Sequence, residues 1–317
     1  MRKTVILSLS LLILAVGCQL EKKEPLQIDD YPQFVASTEV FTNSSKTSMT
    51  PERQVVWSED DRVAVFQGST IADEYVISPS SVGKTNAVLT IVRGSRAKDD
   101  AFFVGTELNG NVAYYPYSLG LSLVGSAFEE NVNYLIDGVV LPEEQEYAAN
   151  SFANGSFPMV AVTETLSDHN LKFKNVLGAI KFKLKGTKKI MSIELKGNND
   201  ERLSGESTII VAADNGVPTI NMSAESKNSV VLDCGDGVQL DDYKETEFIL
   251  AIPPTDFKNG FSVVLTDSKN NVTNISTKAA NAVYRSSILV MPTVTVKETS
   301  NGETEDVNKG EDVGINK

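Results

Sequence analysis

In Leu171-Lys172-Phe173-Lys174, and again in Ile180-Lys181-Phe182-Lys183-Leu184-Lys185, apolar and lysine side chains alternate at a period of two. A strand turns successive side chains to opposite faces, so this spacing puts one face in a core and the other in water. A helix advances about 100° per residue and would scatter Ile180, Phe182 and Leu184 around its axis. These runs therefore demand a sheet, and the rest of the chain follows them. Short stretches rich in β-branched and aromatic residues predict strands at 33–41, 63–66, 74–77, 87–92, 101–104 and 112–117. Further strands are expected at 191–196, 207–212, 218–222, 230–232, 248–252, 262–265, 272–276 and 287–296. Asp214-Asn215-Gly216, Lys258-Asn259-Gly260 and similar turns part them. Before residue 170 no stretch sustains a 3.6-residue apolar period with caps at both ends. The reading is all-β, with the strand spacing of β-sandwiches. Residues 119–128 and 143–154 suit loops or one short helix.

The amino end is address rather than fold. Arg2 and Lys3 precede an apolar run from Val5 to Val16, the layout of a short secretory signal. Leu14-Ala15-Val16-Gly17-Cys18 resembles the lipobox of bacterial lipoproteins, where signal peptidase cuts before a cysteine that carries acyl chains. The cut is expected between Gly17 and Cys18, with lipid on Cys18. Each buried acyl methylene contributes about 0.8 kcal/mol, so several chains hold a protein on a membrane. The expected organisation is a signal peptide at 1–17, a polar tether at 18–30, an amino-terminal sandwich at 31–168, a carboxy-terminal sandwich at 169–297, and a disordered acidic tail at 298–317. A fragment from about Leu171 to Lys297 is expected to contain its own core.

Composition removes several functions. The net charge of −13, about −15 once Arg2 and Lys3 leave, argues against nucleic acid, which needs a basic face. With Cys18 committed to lipid, Cys234 has no partner for a disulfide. His169 is the one histidine, so a multi-histidine metal site is excluded, and its place before the run at Leu171 reads as a turn. Gly83-Lys84-Thr85 lacks the first glycine of a phosphate-binding loop and runs into a strand. Asp233-Cys234-Gly235-Asp236-Gly237 with Asp241-Asp242 does not have the spacing of a calcium loop. Tyr114-Tyr115-Pro116-Tyr117 reads as edge-strand packing ended by proline rather than a sugar-stacking platform. No constellation supports catalysis, a metal or a cofactor.

Val55-Val56-Trp57-Ser58-Glu59-Asp60-Asp61-Arg62-Val63-Ala64-Val65-Phe66, Ala113-Tyr114-Tyr115-Pro116-Tyr117, Pro158-Met159-Val160-Ala161, Phe173-Lys174-Asn175-Val176-Leu177-Gly178-Ala179-Ile180-Lys181-Phe182, Leu203-Ser204-Gly205, Ala251-Ile252-Pro253-Pro254 and Tyr284-Arg285-Ser286-Ser287-Ile288-Leu289-Val290-Met291-Pro292 follow one another in this order behind the lipobox. This succession resembles the fimbrillin family of Bacteroidales surface lipoproteins, which includes type V pilus subunits. The resemblance implies two tandem transthyretin-like β-sandwiches, export to the outer membrane surface, and assembly with other fimbrial subunits into adhesive pili that meet host or bacterial receptors. It also implies that an arginine-specific protease removes the first strand and that a neighbour's extended carboxy-terminal segment takes its place. Arg53 is then the candidate cut. The candidate donor strand is Ser287 to Val296, with Ser287, Ile288, Val290, Thr293 and Val296 as its named positions. The alternative is a non-polymerising carbohydrate-binding or accessory (anchor or tip) surface lipoprotein.

Overall fold

The computed structural model describes residues 31–40, 55–93, 109–128, 131–296, 304–306 and 311–312. Among them regular structure is β throughout, apart from one 3₁₀ turn at Pro79–Ser81. The first unit is a sheet closed on itself. β1 (Phe34–Ser37), β2 (Arg62–Gln67), β3 (Asp73–Ile77), β4 (Asn86–Arg93), β5 (Asn111–Tyr115), β10 (Met159–Val162), β11 (Asn170–Lys172) and β12 (Lys174–Asn175) pair in the order β11-β1-β4-β3-β2-β5-β10-β12. The two outermost strands are parted in sequence only by Phe173, so 170–175 forms the seam of a barrel. Val63 and Val65 of β2 point inward among Phe34, Trp57, Tyr75, Leu89 and Phe173. Ala64 and Phe66 point outward, yet they too are fully buried, because another layer covers that side. Burial on both faces is why the β2 sequence is continuously apolar.

That layer is a four-stranded sheet in the order β16-β15-β7-β6, formed by β6 (Ser122–Phe128), β7 (Asn131–Leu141), β15 (Gly205–Ala212) and β16 (Thr219–Met222). Leu123, Tyr134, Ile136, Ile209 and Val211 pack with Phe66, Val112, Tyr114 and Val160 of the barrel in a second core. The third core lies inside a true sandwich. One of its sheets runs β18-β13-β23-β26, from β18 (Thr246–Ile252), β13 (Gly178–Gly186), β23 (Ile288–Val290) and β26 (Glu311–Asp312), with β24 (Val294–Val296) also on β13. The facing sheet joins β25 (Thr304–Asp306), β21 (Val272–Thr277), β20 (Phe261–Asp267), β14 (Lys189–Gly197), β17 (Ser229–Gln239), β8 (Glu144–Ala148) and β9 (Ser151–Phe152) in that order. β19 (Thr255–Phe257) and β22 (Asn281–Val283) form a two-stranded ribbon beside them.

The all-β expectation holds, while details differ. Strand pairing does not stop at residue 168: β1 pairs with β11, β7 with β15, and β8 with β17. Residues 119–128 and 143–154, read as loops or a short helix, contain β6, β8 and β9. The tail expected to be disordered contributes β25 on β21 and β26 on β23. The strand expected at 101–104 lies outside the described residues. In β13, Ile180, Phe182 and Leu184 enter the sandwich core as the alternation demands. Lys181 departs from it: only 3% exposed, it pairs with Glu247 at 2.6 Å. Its neighbour Ala179 faces the second core with Ile249, Ala251 and Ile288, so the supposed water face of this sheet is covered there. The outer edge of β18 is closed by a side chain. The buried Gln145 donates from Nε2 to the Ala251 carbonyl (2.7 Å) and accepts the Ala251 N–H on Oε1 (3.0 Å).

Candidate functional site

Gly17, Cys18 and Arg53 lie outside the described residues. The first strand, expected at 33–41, is the four-residue β1. Phe34 and Ala36 are fully buried, and the Phe34 ring meets Tyr75 and His169 edge-on, each at 5.2 Å between centroids. On one side β1 runs antiparallel to β4, with Phe34 opposite Leu89; on the other it runs parallel to β11, with Val35 opposite Asn170. The Val35 N–H donates to the His169 carbonyl (2.9 Å), the Thr38 N–H to Thr85 (3.1 Å), and the Phe173 N–H to Ser37 (2.8 Å). Without β1 the barrel has two open edges and vacant positions for two apolar side chains.

The candidate donor segment lies on its own chain. β23 and β24 run parallel to β13, joined by the Met291 N–H donating to the Lys181 carbonyl at 2.9 Å. Ile288 and Val296 are buried, Val290 is half-buried, and Ser287 is buried with its hydroxyl donating to the Tyr284 carbonyl at 2.9 Å. Thr293 is exposed and donates to Glu245 at 2.5 Å, a bond that holds the Glu245 carboxyl below its ordinary range. Met291-Pro292-Thr293 breaks the segment into two strands. One contact joins its beginning to β1: Arg285 reaches Glu39, just past β1, in a forked ion pair at 2.6 and 3.0 Å. No local pattern could have found that pair, since 246 positions separate its members.

The remaining sites are structural. The Gly83 N–H donates to the Trp57 carbonyl and the Lys84 carbonyl accepts the Trp57 N–H, so this loop spends its backbone on the barrel. Asp233 and Asp241 turn their carboxylates onto nearby backbone N–H groups, of Gly235 in one case and of Tyr243 and Lys244 in the other. Among the described residues no three His, Cys, Asp or Glu side chains cluster as metal ligands would, and no helix is long and apolar enough to cross a membrane. Trp57 is 1% exposed, edge-on to Tyr115 and Phe173, and donates to the Thr85 carbonyl. Tyr114 and Tyr115 are buried too, and β5 lies between β2 and β10, inside the sheet rather than at the edge as expected. His169 is half-buried directly ahead of β11, its ring against Phe34, where the sequence suggested an exposed turn. A cleft of about 300 Å³ opens beside Val55, Tyr115, Asn154 and Phe157.

No protein-family description matches the sequence, and no curated protein sequence matches it. Solved structures do. The chain is similar to a candidate cell adhesion protein from Bacteroides ovatus, with a TM-score of 0.50 and 14% identity over 90% of this chain and 98% of that one. It is also similar to a candidate cell adhesion protein from Bacteroides uniformis (TM-score 0.45, 11% identity, 89% and 97% covered). A further likeness is to the tip fimbrial protein Mfa3 from Porphyromonas gingivalis (TM-score 0.28, 10% identity, 86% and 97% covered). The first of these establishes a shared fold across nearly the full length of both chains.

Proposed function

We propose that this chain is an adhesive surface lipoprotein that serves as a fimbrial subunit, assembling by strand exchange after a cut near Arg53. The observation that carries the reading is the state of β1. It is four residues long, it fills a slot between β4 and β11, and it plugs the barrel core with Phe34 and Ala36. A slot of this kind, once emptied, offers unpaired backbone on both sides and apolar pockets between, which is what an extended segment of another subunit binds. A fold shared with a candidate cell adhesion protein supports the adhesive role, and the lipobox ending at Cys18 supports attachment to the outer membrane. The partners are other fimbrial subunits, through the slot, and a surface receptor.

Treatment of the full-length protein with an arginine-specific protease, followed by sizing under mild conditions, tests the proposal. Cleavage at Arg53 followed by ladders of multimers is expected, with both lost in Arg53→Ala. The ladders, though not the cleavage, are expected to vanish when 287–317 is deleted. A chain that is cut and stays monomeric would overturn strand exchange and leave the accessory reading, which the packing of 288–296 on its own β13 favours. For the anchor, Cys18→Ala is expected to move the protein out of the detergent phase or leave it as precursor.

A further inference from the structure

The Glu39 carboxylate is where three distant parts of the chain meet. Arg285 closes on it with both ends of its guanidinium, at 2.6 Å and 3.0 Å. The backbone N–H of Asn175, in the closing strand of the barrel, donates to the same carboxylate at 2.8 Å, and Arg285 donates to the Asn175 carbonyl at 2.7 Å. The Asn175 side-chain amide then donates to Ser286 Oγ at 2.8 Å. Glu39 and Arg285 are only 21% and 19% exposed, so water screens the pair far less than a surface salt bridge. Its forked geometry is also more selective than a single contact. Ser286, held at a φ of +55°, starts the turn into β23; a non-glycine residue keeps that conformation only while its surroundings fix it.

We propose that this cluster is a latch through which the amino-terminal strand governs the carboxy-terminal strands. With β1 seated, Glu39 pins the turn at 284–287 and β23 and β24 stay on β13. When β1 departs it takes Glu39 with it. Arg285 and the Asn175 N–H then lose their shared acceptor, and the segment that follows opens more often. The inference rests on the strand-exchange reading and adds an order of events to it: the first strand leaves, and its leaving readies the donor. Ile288, Leu289, Met291, Val294 and Val296 remain buried without the latch, so its loss shifts an equilibrium and does not expel the strands.

Hydrogen exchange of the uncleaved full-length chain tests it, in wild type, Glu39→Gln, Arg285→Lys and the double variant. Glu39→Gln removes the charge at constant shape, and Arg285→Lys keeps the charge but loses the fork. Amides at 287–291 are expected to exchange at least about tenfold faster in either single variant, while those of β20 keep their protection and certify an intact sandwich. The double variant is expected to be no faster than the faster single, because both changes break one interaction. Wild-type protection at 287–291 in both single variants, or effects that add, would overturn the latch. The measurement uses monomer alone, so a failure to polymerise leaves the latch standing, and unchanged exchange removes the latch while leaving polymerisation untouched.

Discussion

The hydroxyl of Tyr115 shows how single residues hold this molecule. It donates to Asp61 at 2.8 Å, lies 3.0 Å from the Asn154 side-chain oxygen, and accepts the Gly155 N–H at 3.1 Å, while Asp61 also accepts the Ser58 N–H at 2.7 Å. Burial pushes the Asp61 carboxyl above its ordinary value of 3.8, against the pull of these hydrogen bonds. A carboxyl raised in the folded state binds its proton more tightly there than in the unfolded chain. Its stabilising share is therefore complete below pH 3.8 and lost as pH rises through the folded value. Relative to wild type, Asp61→Asn is expected to gain in urea midpoint as pH is raised from about 3 to about 6; a fall over that range would refute the assignment. Tyr115→Phe leaves Asp61 short of a donor and should cost about 1–3 kcal/mol by urea unfolding. Burial, with the Asp233 charge, pushes the Cys234 thiol up to about 12, so alkylating reagents should label it only once the chain unfolds. The Glu39–Arg285 pair was not legible in the sequence, because nothing local announces a partner 246 positions away.

Strands were legible where their period stayed in phase. β13 keeps Ile180, Phe182 and Leu184 on one face without a break, and the sequence points to it directly. β7 is longer, and no strand was expected there. Its core side chains are Tyr134 and Ile136, then Val139 and Leu141, an alternation that slips by one residue at Asp137-Gly138. Opposite the slip, the pairing with β15 shifts between Ser207 and Ile209, the signature of a bulge. Gly138 holds a φ of +79°, and a Cβ there would stand 2.5 Å from the Gly120 carbonyl oxygen. Gly138→Ala is expected to cost more than about 1 kcal/mol in urea unfolding, since both the conformation and the space reject a side chain. At the other bend of the chain, Gln145→Leu strips the Ala251 N–H and carbonyl of their buried partners at once. A loss of about 1–3 kcal/mol is expected, and a neutral result would show that water reaches that edge.

Across the described residues the three cores are chained together. The middle one is built from both halves: Phe66 and Val112 come from the barrel, Ile209 and Val211 from β15, and Ile249 and Ile288 from the sandwich. A fragment of residues 171–297 loses β7 beside β15 and β8 beside β17, and exposes Val176, Leu177 and Ala179. Although its sequence reads as self-sufficient, the fragment is expected to stay unfolded or to aggregate. The intact chain is expected to melt in one calorimetric transition. Two well-separated transitions would show that the middle core does not couple the halves. The all-β class was legible because side-chain alternation is local. Pairings that cross residue 168, such as β8 with β17, were not, because sequence order conceals them.

β1 lies lengthwise between β4 and β11, with its hydrogen-bond ladders on both flanks. A pull on the chain ahead of Phe34 acts along that strand and loads both ladders in shear, so their bonds must yield together instead of peeling away one at a time. A cut behind the strand changes none of those bonds, yet it ends the mechanical continuity between the leading end and the rest of the chain. After such a cut, any load on the leading end would rest on the non-covalent grip of β1 together with Thr38 and Glu39 just behind it.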